Sequence, residues 1–343
     1  MVLPTTYASA LLLLLLGFVC LGSWANTFRL AGARWRFELF YFDFAIGALL
    51  LAVVAAYTFG TLGSDLAFSD RMLVAGRAAQ AYVMAAGFIF NLGNMLLVAA
   101  ISLIGMSAAF PLSIGVALII VAFFDFTPGN VLFLVGGIVL MVPALLLDGV
   151  ASRSRDVPQV NPTKTPHRSL QKAKGRKTTK GVALGIVSGI LLGCFYPVAS
   201  KGMAGDFGLG PYAGSLLFCL GVLASTLMFN FYFMNIAIEG GPIRLNAYFT
   251  GQARQHFLGF GGGALWALGA LATSLAISSP SQTGLNRSLG FILPLASVLL
   301  AMLWGAMRWK EFATAPKSAK VCISLTAVLF TCSLVLFGFG TPR

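Results

Sequence analysis

Ten stretches of this chain are almost wholly apolar, and each is about as long as the ~20 residues an α-helix needs to cross a bilayer. They fall at approximately 5–25, 37–59, 79–99, 104–124, 130–149, 181–200, 212–235, 257–277, 284–307 and 319–340. The third and fourth nearly merge, and they divide near Leu103. Lipid offers the backbone no hydrogen-bonding partner, so a run of this kind crosses as a helix. Charged residues make up 10% of the chain and hydrophobic residues 58%, whereas a soluble domain carries roughly 25% charged residues. The sequence predicts an all-α integral membrane protein with ten transmembrane helices.

The first run needs one distinction. Leu11 to Leu16, followed by Gly22-Ser23-Trp24-Ala25, has the outline of a signal peptide. Residues 1–10 contain no basic residue, which a signal n-region requires, so the run reads as the first membrane helix.

The net charge of +13 is distributed between the apolar runs, so it marks topology and not a nucleic-acid partner. Counting alternate loops, Arg71, Arg77, Lys201, Arg287 and Arg343 fall on one side, and the other 18 of the 23 basic residues fall on the opposite side. The positive-inside rule makes the richer side cytoplasmic. Both termini are then outside, in a multi-pass plasma membrane or, in a bacterium, the inner membrane.

Nine of the basic residues, from Arg153 to Lys180, lie in the polar stretch 151–180. It reads as a disordered cytoplasmic linker between a first five-helix half, 1–150, and a second, 181–343. Five is odd, so the second half enters the membrane from the opposite side, as in an inverted repeat. Pro111-Leu112 and Pro294-Leu295 begin long apolar runs at matching places in the two halves, and Gly93 to Ala100 matches Gly263 to Ala270.

Several function classes lack raw material. Cys20, Cys194, Cys219, Cys322 and Cys332 all sit inside apolar runs without metal-ligand spacing. The two histidines, His167 and His256, are far apart in polar loops. Ten scattered acidic residues supply no catalytic cluster, so neither an enzyme nor a metal or cofactor site is expected. A scaffold or sensor would ordinarily add a soluble domain. The expected partners are a small-molecule substrate and the lipid bilayer.

Polar and aromatic residues inside the spans are the informative ones. Trp24 and Asn26 end the first run, with Phe195 and Tyr196 at a similar level of the sixth. They are either a stacking and hydrogen-bonding site or interfacial anchors. Asn91 and Asn94 share a face at mid-span and either bind a solute or join helices. Trp266 follows Gly261, Gly262 and Gly263, and can wall a cavity, with Ser274 further along. Gln282, Asn286 and Arg287 either line an outer mouth or belong to a polar loop.

Glu38 and Asp43 are the candidate proton carriers, with an ion pair to Arg34 or Arg36 as the structural alternative. Glu311 reads as a salt-bridge residue at a helix end. The stripe Gly185, Gly189, Gly193 permits tight helix contact, equally in a homodimer interface or in an internal seam.

The second half carries a resemblance. Gly259-Phe-Gly-Gly-Gly-Ala-Leu-Trp-Ala-Leu-Gly269 is followed by Phe291-Ile-Leu-Pro-Leu-Ala-Ser297, Leu303-Trp304-Gly305, Lys310-Glu311-Phe312 and Lys317. This resembles the end of the ureide permeases and, more widely, the glucose/ribose and rhamnose uptake proteins of the drug/metabolite transporter superfamily. Asn91-Leu-Gly-Asn94, Gly105-Met-Ser and the central basic segment are compatible with it.

The resemblance implies a ten-helix 5+5 inverted repeat around a central cavity. It also implies uptake, with protons and by alternating access, of a small neutral polar metabolite such as a sugar or a ureide- or nucleobase-like heterocycle. The alternative within the superfamily is an exporter of amphipathic compounds. Some ureide permeases carry a nucleotide-binding-like motif in the central loop. Here Gly175-Arg-Lys-Thr-Thr lacks the full phosphate-binding pattern, so ATP dependence has no support.

Overall fold

A computed structural model describes residues 1–32, 34–124, 130–155, 168–205 and 207–340. The described elements are helical, and no strand occurs among them. Helices α1 (Tyr7–Ser23) and α2 (Ala25–Ala31) join through Trp24, whose backbone is itself helical, and together form the first span. Then come α3 (Phe37–Tyr57), short α4 (Phe68–Val74), α5 (Arg77–Ile104), α6 (Met106–Phe124), α7 (Val131–Arg155), α8 (Arg168–Met203) and α9 (Pro211–Asn235). They are followed by short α10 (Asn246–Phe249), α11 (Ala253–Ser278), short α12 (Pro280–Thr283), α13 (Arg287–Leu303) and α14 (Lys317–Gly340). α13 continues into a π-helical turn at Trp304–Arg308. Among the described residues ten helical segments are long and apolar enough to cross a membrane, and each overlaps one of the ten apolar runs.

The third and fourth spans divide at Gly105, within about two residues of the break expected near Leu103. Gly105 has φ +83°, a left-handed conformation that glycine adopts without penalty. The Glu311 carboxylate fills the corner and accepts from the Met106 and Ser107 backbone N–H groups at 2.8 and 2.9 Å. A carboxylate at a helix N-terminus satisfies donors that would otherwise be free. Glu311 is therefore the cap of α6, a role its place in the sequence did not suggest.

One boundary differs from expectation: the stretch 151–180 is not wholly a linker. α7 runs on to Arg155, and α8 starts at Arg168. Lysine, glutamine, alanine and arginine favour helix, and extending an existing span costs far less than nucleating a new helix. Residues 156–167, His167 among them, lie outside the described residues.

The chain forms two compact units, each drawing on both sides of the basic segment. One comprises Met1–Met95 with Cys194–Ser297, the other Leu96–Gly193 with Val298–Arg343. α5, α8 and α13 pass from one unit into the other along their length.

In the first unit, glycines bring α3 and α11 into backbone contact. A Cβ built on Gly263 would lie 1.9 Å from the Phe44 carbonyl oxygen, and one on Gly47 would lie 2.1 Å from that of Phe260. Spanning helices gain no hydrophobic drive from lipid, so close van der Waals contact of this kind holds them together.

In the second unit, the stripe Gly185, Gly189, Gly193 packs inward on α6. Added Cβ atoms would meet Leu112 at 2.7 Å, the Ser113 carbonyl oxygen at 2.5 Å and Ile120 at 2.7 Å. Of the two readings left open for it, the internal seam is the one this arrangement has. α7 and α14 pack alongside, with Thr326 donating to the Ala144 carbonyl at 3.2 Å and Ser333 to that of Gly137 at 2.7 Å.

Candidate functional site

The first unit holds a cavity of about 180 Å³. Four aromatic side chains wall it: Phe90 of α5, Phe195 near the end of α8, Phe218 of α9 and Trp266 of α11. Phe90 and Phe218 both lie within 28° of parallel to the Trp266 ring, at centroid distances of 4.8 and 6.2 Å. Phe195 meets Phe90 and Phe218 edge-on. The polar side chains in the lining are Ser215, Cys219 and Ser274, and no acidic or basic residue belongs to it among the described residues. Trp266 comes this close because small residues surround it on α11, where Gly262, Gly263, Ala267, Gly269 and Ala270 leave room for one large ring.

The structure brings some sequence-selected residues to this chamber and takes others elsewhere. Trp266 and Ser274 line it, as does Phe195. Trp24 is buried at 2% exposure. It packs on Phe44 at 5.2 Å, and Phe44 in turn lies 6.0 Å from Trp266, so Trp24 is one ring removed from the chamber. It is no interfacial anchor, because α2 prolongs the first span past it. Tyr196 is exposed. Asn26 of α2 donates to the carbonyl of Ser23, the last residue of α1, at 3.0 Å, within the same span. Asn286 is exposed, and its side chain accepts from the Ser288 N–H at 2.8 Å, at the start of α13.

Asn91 and Asn94 face a buried polar belt. Asn91 donates to Ser225 and Thr226 of α9 at 2.8 and 3.0 Å, and Asn94 donates to the Tyr41 hydroxyl at 2.8 Å. Asn230, one turn beyond Thr226, is fully buried, and neither end of its amide has a hydrogen-bond partner among the described residues. Its signal in the sequence was an amide inside the apolar run 212–235, the same kind of mark that singled out Asn91 and Asn94.

The two candidate proton carriers separate. Glu38 is buried and ion-paired with Arg36, which also donates to the Gly241 carbonyl at 2.6 Å. Asp43 is equally buried, but its partners come from the other half of the chain. The Tyr248 hydroxyl of α10 donates to Oδ1, and His256 Nδ1 lies 2.9 Å from Oδ2.

The expectation that His256 belongs to a polar loop is therefore corrected. α11 begins at Ala253 behind a Gln252–Gln255 capping pair, which puts His256 in its first turn. Trp35 packs edge-on against the imidazole at 5.0 Å. Gly259, one turn further, leaves room for Asp43, since a Cβ there would lie 2.4 Å from the Asp43 Cβ. Burial, and then the hydrogen bond to Asp43 and its charge, push the Tyr248 hydroxyl above the usual tyrosine range, so it stays a donor. A histidine, a carboxylate and a phenol within hydrogen-bond reach form a group across which a proton can be held or passed.

Comparison with known proteins supplies one outside line. No family model matches the chain. Ureide permease 2 of Arabidopsis thaliana is 32% identical to it over 114 residues, covering 31% of this chain and 28% of that protein. The matched stretch is thus under a third of the length of either. Taken with ten helices able to cross a membrane, that likeness supports a transporter-like, multi-pass membrane protein.

Proposed function

We propose that this chain is a secondary transporter that takes up a small, neutral, planar heterocycle of the ureide or nucleobase type together with protons. It would belong to the drug/metabolite transporter superfamily and work by alternating access between two inverted repeats. In this reading residues 151–180 face the cytoplasm and both termini lie outside.

The observation that carries the substrate class is the aromatic chamber. Rings close to parallel offer faces on which a flat solute stacks, and an aromatic contact to a base is worth about 1–3 kcal/mol. An apolar cavity of about 150 Å³ is enough for benzene, so about 180 Å³ suits a single ring. A sugar would leave most of its hydroxyls unpaired against so apolar a lining, and unpaired buried polar groups are costly. Ser215 and Ser274 would supply the few hydrogen bonds, with Asn91, Asn94 and Asn230 as a polar reserve within the same unit. Asp43 with His256 is the favoured coupling group, while Glu38 is committed to Arg36.

The same apolar lining also favours a second reading, export of amphipathic compounds. A lipophilic cation would find aromatic faces there but no carboxylate.

A thermal-shift screen of the detergent-purified protein separates the two. The panel holds allantoin, nucleobases, sugars and lipophilic cations, tested on wild type and on Trp266→Ala. A ligand at a hundred times its Kd raises stability by about 2.7 kcal/mol. A neutral heterocycle should stabilise wild type, and Trp266→Ala should weaken it about 5–150-fold, the equivalent of one lost stacking contact. Stabilisation by lipophilic cations alone would sink the uptake reading.

A further inference from the structure

Among the described residues three acidic side chains in the spanning helices show no exposed surface: Glu38, Asp43 and Asp148. The first two are held by named partners. Asp148 is not, because neither carboxylate oxygen has a hydrogen-bond partner among the described residues. The Ser152 hydroxyl, one turn along α7, is fully buried and equally unpartnered.

The position makes this unusual. α7 buries Leu134, Gly137, Met141, Ala144, Asp148 and Ala151. The spacing alternates between three and four residues, as in a helix–helix seam where apolar side chains interlock. The facing helix is antiparallel α14. Thr326 bonds at the level of Ala144 and Ser333 at that of Gly137. Continuing that register one turn brings Asp148 to the level of Cys322, between the buried Ala319 and Ile323.

Few charges face Asp148. α6, also packed on α7, has no titratable residue from Met106 to Phe124. α14 offers the Cys322 thiol and, further out, exposed Lys320 and Lys317. α7 itself ends in Arg153 and Arg155. The Arg155 guanidinium acts on Asp148 through its charge, but it donates to the Ile104 carbonyl at 2.7 Å and lies over the Phe312 ring.

A polar residue kept in a seam to set its register needs a partner across the seam, and Asp148 lacks one. A hard metal cation needs six or more oxygen ligands, and the side chains here offer three. A proton needs one oxygen and no cavity.

We propose that Asp148 is a proton-binding site, loaded in the conformation described and unloaded when the α7–α14 seam opens to water. The binding stands on the geometry of the second unit. Its use, as a proton exchanged during each cycle, rests on the transport reading above.

The test is infrared spectroscopy of the purified full-length protein, with aspartate labelled by carbon-13, across a pH titration. A protonated aspartic acid band should persist through neutral pH in wild type and in Asp43→Asn, and should be lost in Asp148→Asn. No such band in wild type, or a band unchanged by Asp148→Asn, would overturn the proposal. If Asp148→Asn fails to fold, Asp148→Glu decides the matter, because its carboxyl lies outside the aspartate label: the labelled band should be lost there too, and a band that persists would overturn the proposal.

The second arm uses proteoliposomes. Asp148→Asn should keep solute exchange without a gradient and lose one proton's share of gradient-driven accumulation, about tenfold for each pH unit imposed, while the Asp43 group still couples. Unchanged accumulation would overturn the coupling. An Asp148 band in a protein that moves no solute would defeat the transport reading and leave the proton site standing.

Discussion

Asp43 and Asp148 are the same side chain, each fully buried in a helix long and apolar enough to span a membrane, and their surroundings could hardly differ more. Asp43 has a phenol on one oxygen and an imidazole on the other. Asp148 has a hydrocarbon seam and a serine that is itself unpartnered. Burial alone therefore does not say what a carboxylate does. Partners do, because a satisfied acid stabilises its surroundings and an unsatisfied one strains them.

The largest effect expected from this contrast is at Asp43. Asp43→Leu strands His256 and Tyr248, and should cost about 2–4 kcal/mol in reversible unfolding. Asp148→Leu should act in the opposite sense and raise stability by about 1–3 kcal/mol, since it removes a buried polar group that has no partner. A parallel melt of both variants is decisive, and equal losses would erase the distinction.

Asn91→Ala tests whether pairing matters equally in a neutral network. A loss of about 1–2 kcal/mol is expected, because Ser225 and Thr226 keep bonds to their own helix.

Tyr248→Phe should be mildest, about 1 kcal/mol. It should also change the alkaline limb of the stability profile. The Tyr248 hydroxyl is raised in the folded state, so the stability it adds is fully present below the ordinary tyrosine value of about 10 and is lost as pH rises beyond it. A melt series above pH 10 should show that loss in wild type and a shallower one in Tyr248→Phe.

The spans were readable in the sequence because an apolar run of the right length has only one way to cross lipid. The break near Leu103 was readable too, but its cap was not, since Glu311 stands about 200 residues away in the chain. Trp266 could be found from its glycine neighbours, whereas Phe90 and Phe218 could not be told from other phenylalanines. Asp43 was visible as a charge in an apolar run, but His256 and Tyr248 were not, because contacts across 213 and 205 residues leave no local trace. One signal was available for His256. It stands at the start of an apolar run, and Gly259 follows one turn later on the same face. Asp148 carries the same mark as Asp43 near the end of the fifth run, but its lack of hydrogen-bond partners among the described residues leaves no trace in the sequence.

The backbone contact between α3 and α11 has a mechanical consequence. With Phe44 and Phe260 carbonyls already against the glycines opposite, neither helix can rotate or slide past the other without collision. The two form a single stiff rod. Trp266 and His256 are ten residues apart on it, about 15 Å along the axis. A tilt that makes room for a solute beside Trp266 must swing the far end of the same rod, where the Asp43–His256 contact lies.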